Sequence, residues 1–162
     1  MSSVLKRSLR RFAVAVSAAA FVLGLTAVPA AAHTLHEAVV SSDGCGWGGY
    51  DYRQLEGNYI RTTGGTKIGR VDLLWSSKGD NPAENCVVTR RWNFLHGVEG
   101  YAAANLLIKG RRNRWDSGWD YSHYAAVAAP AQNRCVGYWG KVQNIRNNDI
   151  RGNGDKSWNY CD

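Results

Sequence analysis

The positions of the cysteines restrict this chain more than any other feature. There are four, Cys45, Cys86, Cys135 and Cys161, and all of them follow a segment built for export. "MSSVLKRSLRR" is positively charged, "FAVAVSAAAFVLGL" is apolar, and "AVPAAA" supplies small residues of the A-x-A type. Residues 1–32 are therefore expected to be a secretory signal peptide. The apolar run is short and wrongly flanked for a transmembrane anchor, and no second apolar stretch of spanning length follows, so no membrane span is expected after cleavage. An even cysteine count on an exported chain argues for two disulfides. Three pairings are open, and the sequence does not choose among them; the sequential one, Cys45–Cys86 with Cys135–Cys161, is favoured here. By loop-closure entropy each bridge would stabilise the fold by about 3.5–4 kcal/mol, a large share of the roughly 5–15 kcal/mol that a domain has in total. No two cysteines stand two to four residues apart and no histidine lies at ligand spacing from one, which argues against a zinc site.

Residues 33–162 are of a length that suits one secreted domain. Four of the 20 basic residues, Lys6, Arg7, Arg10 and Arg11, lie in the leader; the 16 that remain exceed the 13 acidic ones by three. An excess of three is ordinary and does not imply nucleic acid, so no nucleic-acid partner is expected. Short aromatic or β-branched runs alternate with Gly, Asn, Asp and Ser turns, which is an all-β pattern. "GNYIRTTGGTKIGRVDLLW" is expected to be a hairpin turning at Thr63-Gly64-Gly65-Thr66. On its second strand Val71, Leu73 and Trp75 share one face, and Arg70 and Asp72 take the other. "NCVVTRRW" places Cys86, Val88, Arg90 and Trp92 opposite Val87, Thr89 and Arg91. "CVGYWGKVQNI" is a further strand, and "RNNDIRGNGDKSWN" a long polar turn region. "YAAANLLIKG" and "HYAAVAAPAQ" are rich in alanine, which favours helix; both are short for a helix and are assigned as strands. The expected architecture is a small, disulfide-stapled antiparallel β-sandwich or barrel.

The densest group of functional side chains is "WDSGWDYSHYAAV", residues 115 to 127. As a strand it turns Trp119, Tyr121, His123 and Val127 one way and Asp120, Ser122 and Tyr124 the other, separating Asp120 from His123. An Asp–His acid/base pair would need a helix instead. The favoured reading packs Trp119 and Tyr121 in the core and leaves Trp115 exposed. The alternative is an open aromatic face for sugar rings. Lys109, Arg111, Arg112 and Arg114 form the one basic cluster; beside Trp115 it could grip an anionic envelope polymer, and the plainer reading is a solvated hairpin tip. Trp115, Trp119, Tyr121, Arg111, Arg112 and Arg114 are thus the candidate ligand-binding residues.

Two enzymatic alternatives are open. Cleavage after Ala32 would expose His33 as an amino-terminal histidine, which with His36, His96 or His123 would make a copper-binding histidine brace. A small secreted hydrolase would need a carboxylate, a histidine and an arginine; Glu56, Glu99, His96, His123 and Arg90 exist, but no spacing ties them together. No G-x-S-x-G, H-E-x-x-H or P-loop motif occurs. No catalytic residue, metal ligand or cofactor is assigned.

"CGWGGY" (45–50), "NCVVT" (85–89), "DSGWDYSHYAA" (116–126) and "CVGYWGK" (135–141), followed by Cys161, resemble in this order the spore-associated protein A family of small exported bacterial proteins. The resemblance covers roughly residues 44 to 162. Tyr124-Ala125 is followed by Ala126 and Val127 where that family continues as Y-A-G-P-V, and Lys141 departs from its C-V-x-W-G-G pattern. The resemblance implies a disulfide-stapled β domain, exported and associated with the spore or cell surface; it brings no established catalytic activity and no catalytic residues. The function expected is that of a non-enzymatic surface protein, with polysaccharide or an anionic envelope polymer as the partner its aromatics would suit.

Overall fold

A computed structural model describes residues 34–49, 51–77 and 83–161. The leader expected over 1–32, and His33, lie outside the described residues. The chain forms a β-sandwich of two four-stranded antiparallel sheets. The first sheet has the order β1-β2-β3-β6, built from β1 (Arg53–Arg61), β2 (Lys67–Ser76), β3 (Glu84–Arg91) and β6 (Tyr124–Pro130). The second has the order β5-β4-β7-β8, built from β5 (Arg114–Gly118), β4 (Ala102–Ile108), β7 (Val136–Asn144) and β8 (Asp149–Asn153). A six-residue helix, α1 (Leu35–Val40), precedes the strands.

The core lies between the sheets and follows the alternation in the sequence. Val71 and Leu73 of β2 and Val87 of β3 face Leu106, Tyr138 and Val142 of the second sheet, all buried. The sheets approach closely where side chains vanish: a Cβ on Gly140 would lie 2.3 Å from Thr89 Oγ1. The alanine-rich segments are strands, as expected. Ala102, Ala104, Ala125 and Ala129 are buried in the core, where tertiary pairing outweighs their helix preference. The hairpin turns at 62–66 with Gly65 at φ 83°, a value that glycine adopts without strain.

Both favoured disulfides are formed, Cys45–Cys86 and Cys135–Cys161. The first ties the amino-terminal segment to the outer face of β3. Ala38, Val39, Cys45 and Trp47 bury Leu74, Cys86, Val88 and Ala126 there, making a second, smaller core outside the sandwich. Helix α1 starts at a capping box, in which Glu37 N–H donates to Thr34 Oγ1 and Thr34 N–H donates to the Glu37 carboxylate. Trp47 is wholly buried, and its Nε1 donates to Glu84 at 2.8 Å.

The rest of that outer face is polar and also largely covered. Cross-strand pairing aligns Tyr59, Arg70, Arg90 and Tyr124 in one row. Asp72, wholly buried, accepts from Arg70 Nε at 2.7 Å, Gln54 Nε2 at 3.0 Å and Arg90 Nη2 at 3.1 Å. Burial works against the Arg70 charge, but the Asp72 carboxylate beside it holds its pKa above the ordinary value. The guanidiniums of Arg70 and Arg90 lie over Tyr59 and Trp92, at 4.9 and 5.4 Å from the ring centroids.

Two assignments need correction. Residues 115–127 are not one strand: β5 ends at Gly118, residues 119–123 bend, and β6 starts at Tyr124 in the other sheet. Asp116 closes this corner by accepting from Tyr121 Oη at 2.5 Å and Ala126 N–H at 3.0 Å. Burial, with this carboxylate beside it, pushes the Tyr121 phenol well above its usual range. The polar region after β7 is not all turn either, because β8 lies within it and pairs with β7 from Gly140↔Asn153 to Asn144↔Asp149.

Candidate glycan-binding face

The second sheet keeps part of its outer face open, at Trp115 on β5 and Lys141 on β7, while residues 155–157 lie over Gly137. On β4 the inward residues are Ala102, Ala104, Leu106 and Ile108, so Ala103, Asn105 and Leu107 face out. On β7 the inward residues are Val136, Tyr138 and Val142, so Trp139 and Lys141 face out. Register then builds the surface row by row. Trp115, Asn105 and Trp139 stand side by side on β5, β4 and β7. The next row is Ser117, Ala103, Lys141 and Gly152. Two aromatic residues are thus held about 10 Å apart across three strands, with Asn105 between them and Leu107 beside it.

The Trp139 and Trp119 rings are each positioned by specific neighbours. A Cβ on Gly152 would lie 2.8 Å from Trp139 Nε1, so the missing side chain makes room for the indole over β8. Lys156 Nζ lies 4.3 Å from the Trp139 ring centroid, and Asn105 Nδ2 donates to the Trp139 carbonyl at 3.4 Å. A shallow depression of about 280 Å³ is lined by Asn105, Leu107, Trp139, Lys141 and Lys156. Next to β4, Trp119 packs on Tyr101 with ring centroids 5.0 Å apart. Tyr101 itself is tied down, since its carbonyl accepts from Gln143 N–H and Arg91 Nη1 and its N–H donates to Gln143 Oε1.

Arg91 anchors this end of the face. It is 1% exposed, and its Nε donates to the Leu95 carbonyl at 3.1 Å. Burial lowers its pKa. The cationic side chains around the platform are Lys141, Lys156 and Arg112; Arg112, Asn113, Arg114 and Trp115 line a depression of about 250 Å³, and Arg114, cross-strand from inward Leu106, also lines one with Ile108 and Ala129. The nearby Asp155 accepts from Ser157 N–H, and this backbone hydrogen bond holds its carboxyl below the usual range.

The candidate residues from the sequence divide between surface and core. Trp115 and Trp119 are 60% and 63% exposed, so the expectation that Trp119 packs inside is wrong: the bend after Gly118 carries it past the end of the strand and onto Tyr101. Tyr121 packs against the core as expected. Arg111 and Arg112 are exposed at the β4–β5 turn, the solvated tip anticipated for them. The hydrolase candidates do not form one centre: Glu56 accepts from Tyr160 Oη at 3.3 Å, whereas Arg90 pairs with Asp72 on the opposite sheet face. His96 and His123, unconnected in the sequence, are neighbours. Sequence reading missed Tyr101, Asn105, Trp139 and Lys156. Trp139 had a usable signal: it follows Tyr138 directly, and on a strand one of two adjacent aromatic residues must face out.

No protein-family model matches the chain, and no curated protein or solved structure is significantly similar to it.

Proposed function

We propose that this is an exported, non-enzymatic protein of the spore or cell surface that binds polysaccharide through the outer face of the β5-β4-β7-β8 sheet. The observation that carries this reading is the row Trp115–Asn105–Trp139, with Trp119 and Tyr101 beside it, on a face where Trp115 and Trp119 are exposed and Trp139 is half-buried. Flat aromatic rings on a rigid sheet, interspersed with small residues and amide or ammonium donors, suit the apolar faces and hydroxyls of sugar rings. The surrounding Lys141, Lys156 and Arg112 favour a polymer that also bears acidic groups. Two disulfides accord with an oxidising compartment. No described helix is long and apolar enough to cross a membrane. The motif resemblance to spore-associated protein A supports the surface assignment.

The test is co-sedimentation with chitin, cellulose and purified bacterial cell walls, followed by tryptophan-fluorescence titration with soluble fragments of whichever polymer pellets the protein. Trp115→Ala and Trp139→Ala should each weaken binding by about tenfold, equivalent to ~1.4 kcal/mol. Failure to pellet with any of the three polymers, or binding indifferent to both substitutions, would refute the reading.

A further inference from the structure

His96 and His123 come from different connections. His96 follows the short 3-10 turn Asn93–Leu95 between β3 and β4, and His123 ends the bend between β5 and β6. The two connections are held together by backbone, with Gly97 N–H donating to the Ser122 carbonyl at 2.8 Å and Arg91 N–H to the His123 carbonyl at 2.8 Å. Across this frame His123 Nδ1 and His96 Nε2 approach to 3.2 Å, with ring centroids 4.7 Å apart and planes inclined by 49°.

These distances can be compared with two arrangements. A collinear N–H···N hydrogen bond at this separation would place the ring centroids about 5.5 Å apart, so at least one ring is tilted off the N···N line. Two imidazoles on one ion must be tilted in this way. With metal–nitrogen bonds of about 2.0–2.1 Å, a ligand angle near 100° puts the nitrogens about 3.2 Å and the centroids about 5 Å apart. We propose that His96 Nε2 and His123 Nδ1 are a two-imidazole site for a borderline divalent cation, with Cu(II) held more tightly than Zn(II). The site is independent of His33 and of the glycan-binding reading.

The proton balance is simple. When both rings are neutral, one proton lies between the facing nitrogens; on metal binding it moves to the far nitrogen of the same ring, and the facing lone pairs go to the cation. No redox step is involved. Among the described residues no group of three or more His, Cys, Asp or Glu is placed to hold a metal; the pair itself supplies two imidazole ligands. Because the metal would bridge the connection that carries Trp119 to the one that precedes Tyr101, loading should also stiffen that end of the aromatic platform.

The experiment titrates the disulfide-intact exported protein with Zn(II) and Cu(II) by calorimetry and records the Cu(II) electron paramagnetic resonance spectrum. One equivalent of each ion should bind, at least tenfold more tightly for Cu(II), with superhyperfine splitting from two imidazole nitrogens. His96→Gln and His123→Gln should each weaken binding by tenfold or more. A His33→Ala/His36→Ala variant should keep both affinity and spectrum; if binding is lost in it and retained in the other two, the amino terminus holds the metal and the proposal falls. Imidazole nitrogen resonances of the unsubstituted protein supply a readout that needs no variant: Zn(II) should shift His96 Nε2 and His123 Nδ1. Unshifted resonances, or the absence of binding, would reduce the pair to a hydrogen bond.

Discussion

The two outer faces of the sandwich are built from the same kind of strand and have been treated in opposite ways. On the β1-β2-β3-β6 sheet the outer face is closed. Helix α1 and Trp47 cover its apolar half, and Asp72 neutralises and orients the arginines of its polar half. On the β5-β4-β7-β8 sheet the outer face is only partly covered: residues 155–157 lie over Gly137, while Trp115 and Trp119, at the β5 side, stand 60% and 63% exposed. The contrast shows that exposure is not a shortage of material to cover the protein. The chain spends an amino-terminal segment and a disulfide on one face and leaves tryptophan on the other. Substitutions on the first face should therefore change stability, and substitutions on the second should change binding.

The largest effect is expected from the bridge that fastens the cover. Cys45→Ala/Cys86→Ala should lower unfolding free energy by about 4 kcal/mol from loop entropy alone. It should also increase binding of a hydrophobic dye as Leu74 and Val88 become accessible. A loss below about 1 kcal/mol in urea unfolding would mean that the cover holds without its disulfide. Next comes Asp72→Ala, which leaves Arg70 and Arg90 without their shared carboxylate. The arginines keep some access to solvent, so a loss of about 2–3 kcal/mol is expected rather than the full penalty of an isolated buried charge. Thermal unfolding would show it, and replacement of all three residues by apolar ones of similar volume should recover most of it. Removing the helix cap with Thr34→Ala should cost about 1 kcal/mol, detected as faster amide exchange confined to 35–40 and its neighbours. Smallest of all, Trp115→Ala should alter stability by no more than about 0.5 kcal/mol, as expected for an exposed side chain, while weakening polysaccharide binding. A Trp115→Ala protein that unfolds readily would erase the distinction between the faces.

The features visible in the sequence are those set by local pattern. The 53–76 hairpin declares itself through Gly64-Gly65 and flanking alternation, and Val87, Thr89 and Arg91 do face away from Cys86 and Arg90. Helix α1 had a signal that went unused, the T-x-x-E capping box of Thr34 and Glu37. Other features depend on distant parts of the chain. The corner at 119–123 exists because β5 and β6 belong to different sheets, and its lock, Asp116, engages partners five and ten residues away in a geometry that no periodicity reveals. Strand β8 is rich in Asn, Asp and Gly, so it looks like a turn; its pairing with β7 makes it a strand. The aromatic platform was half visible, since Trp115 and Trp119 stood out by density, whereas Trp139 and Tyr101 join them only through strand register. The meeting of His96 with His123 has no local signal at all.

The seams between the sheets have one more consequence. Asn153 Nδ2 of β8 donates to the Tyr59 carbonyl of β1, Arg151 Nη2 donates to Thr63 Oγ1 at 2.6 Å, and on the other side Asp116 of β5 accepts the Ala126 N–H of β6. The terminal strands of the first sheet, β1 and β6, thus each have a backbone group engaged by a side chain of the second sheet. At those two positions a neighbouring molecule finds no free group to pair with for strand addition, the usual first step towards fibrils. A second copy of the chain would have to displace these side chains before it could pair with β1 at Tyr59 or with β6 at Ala126.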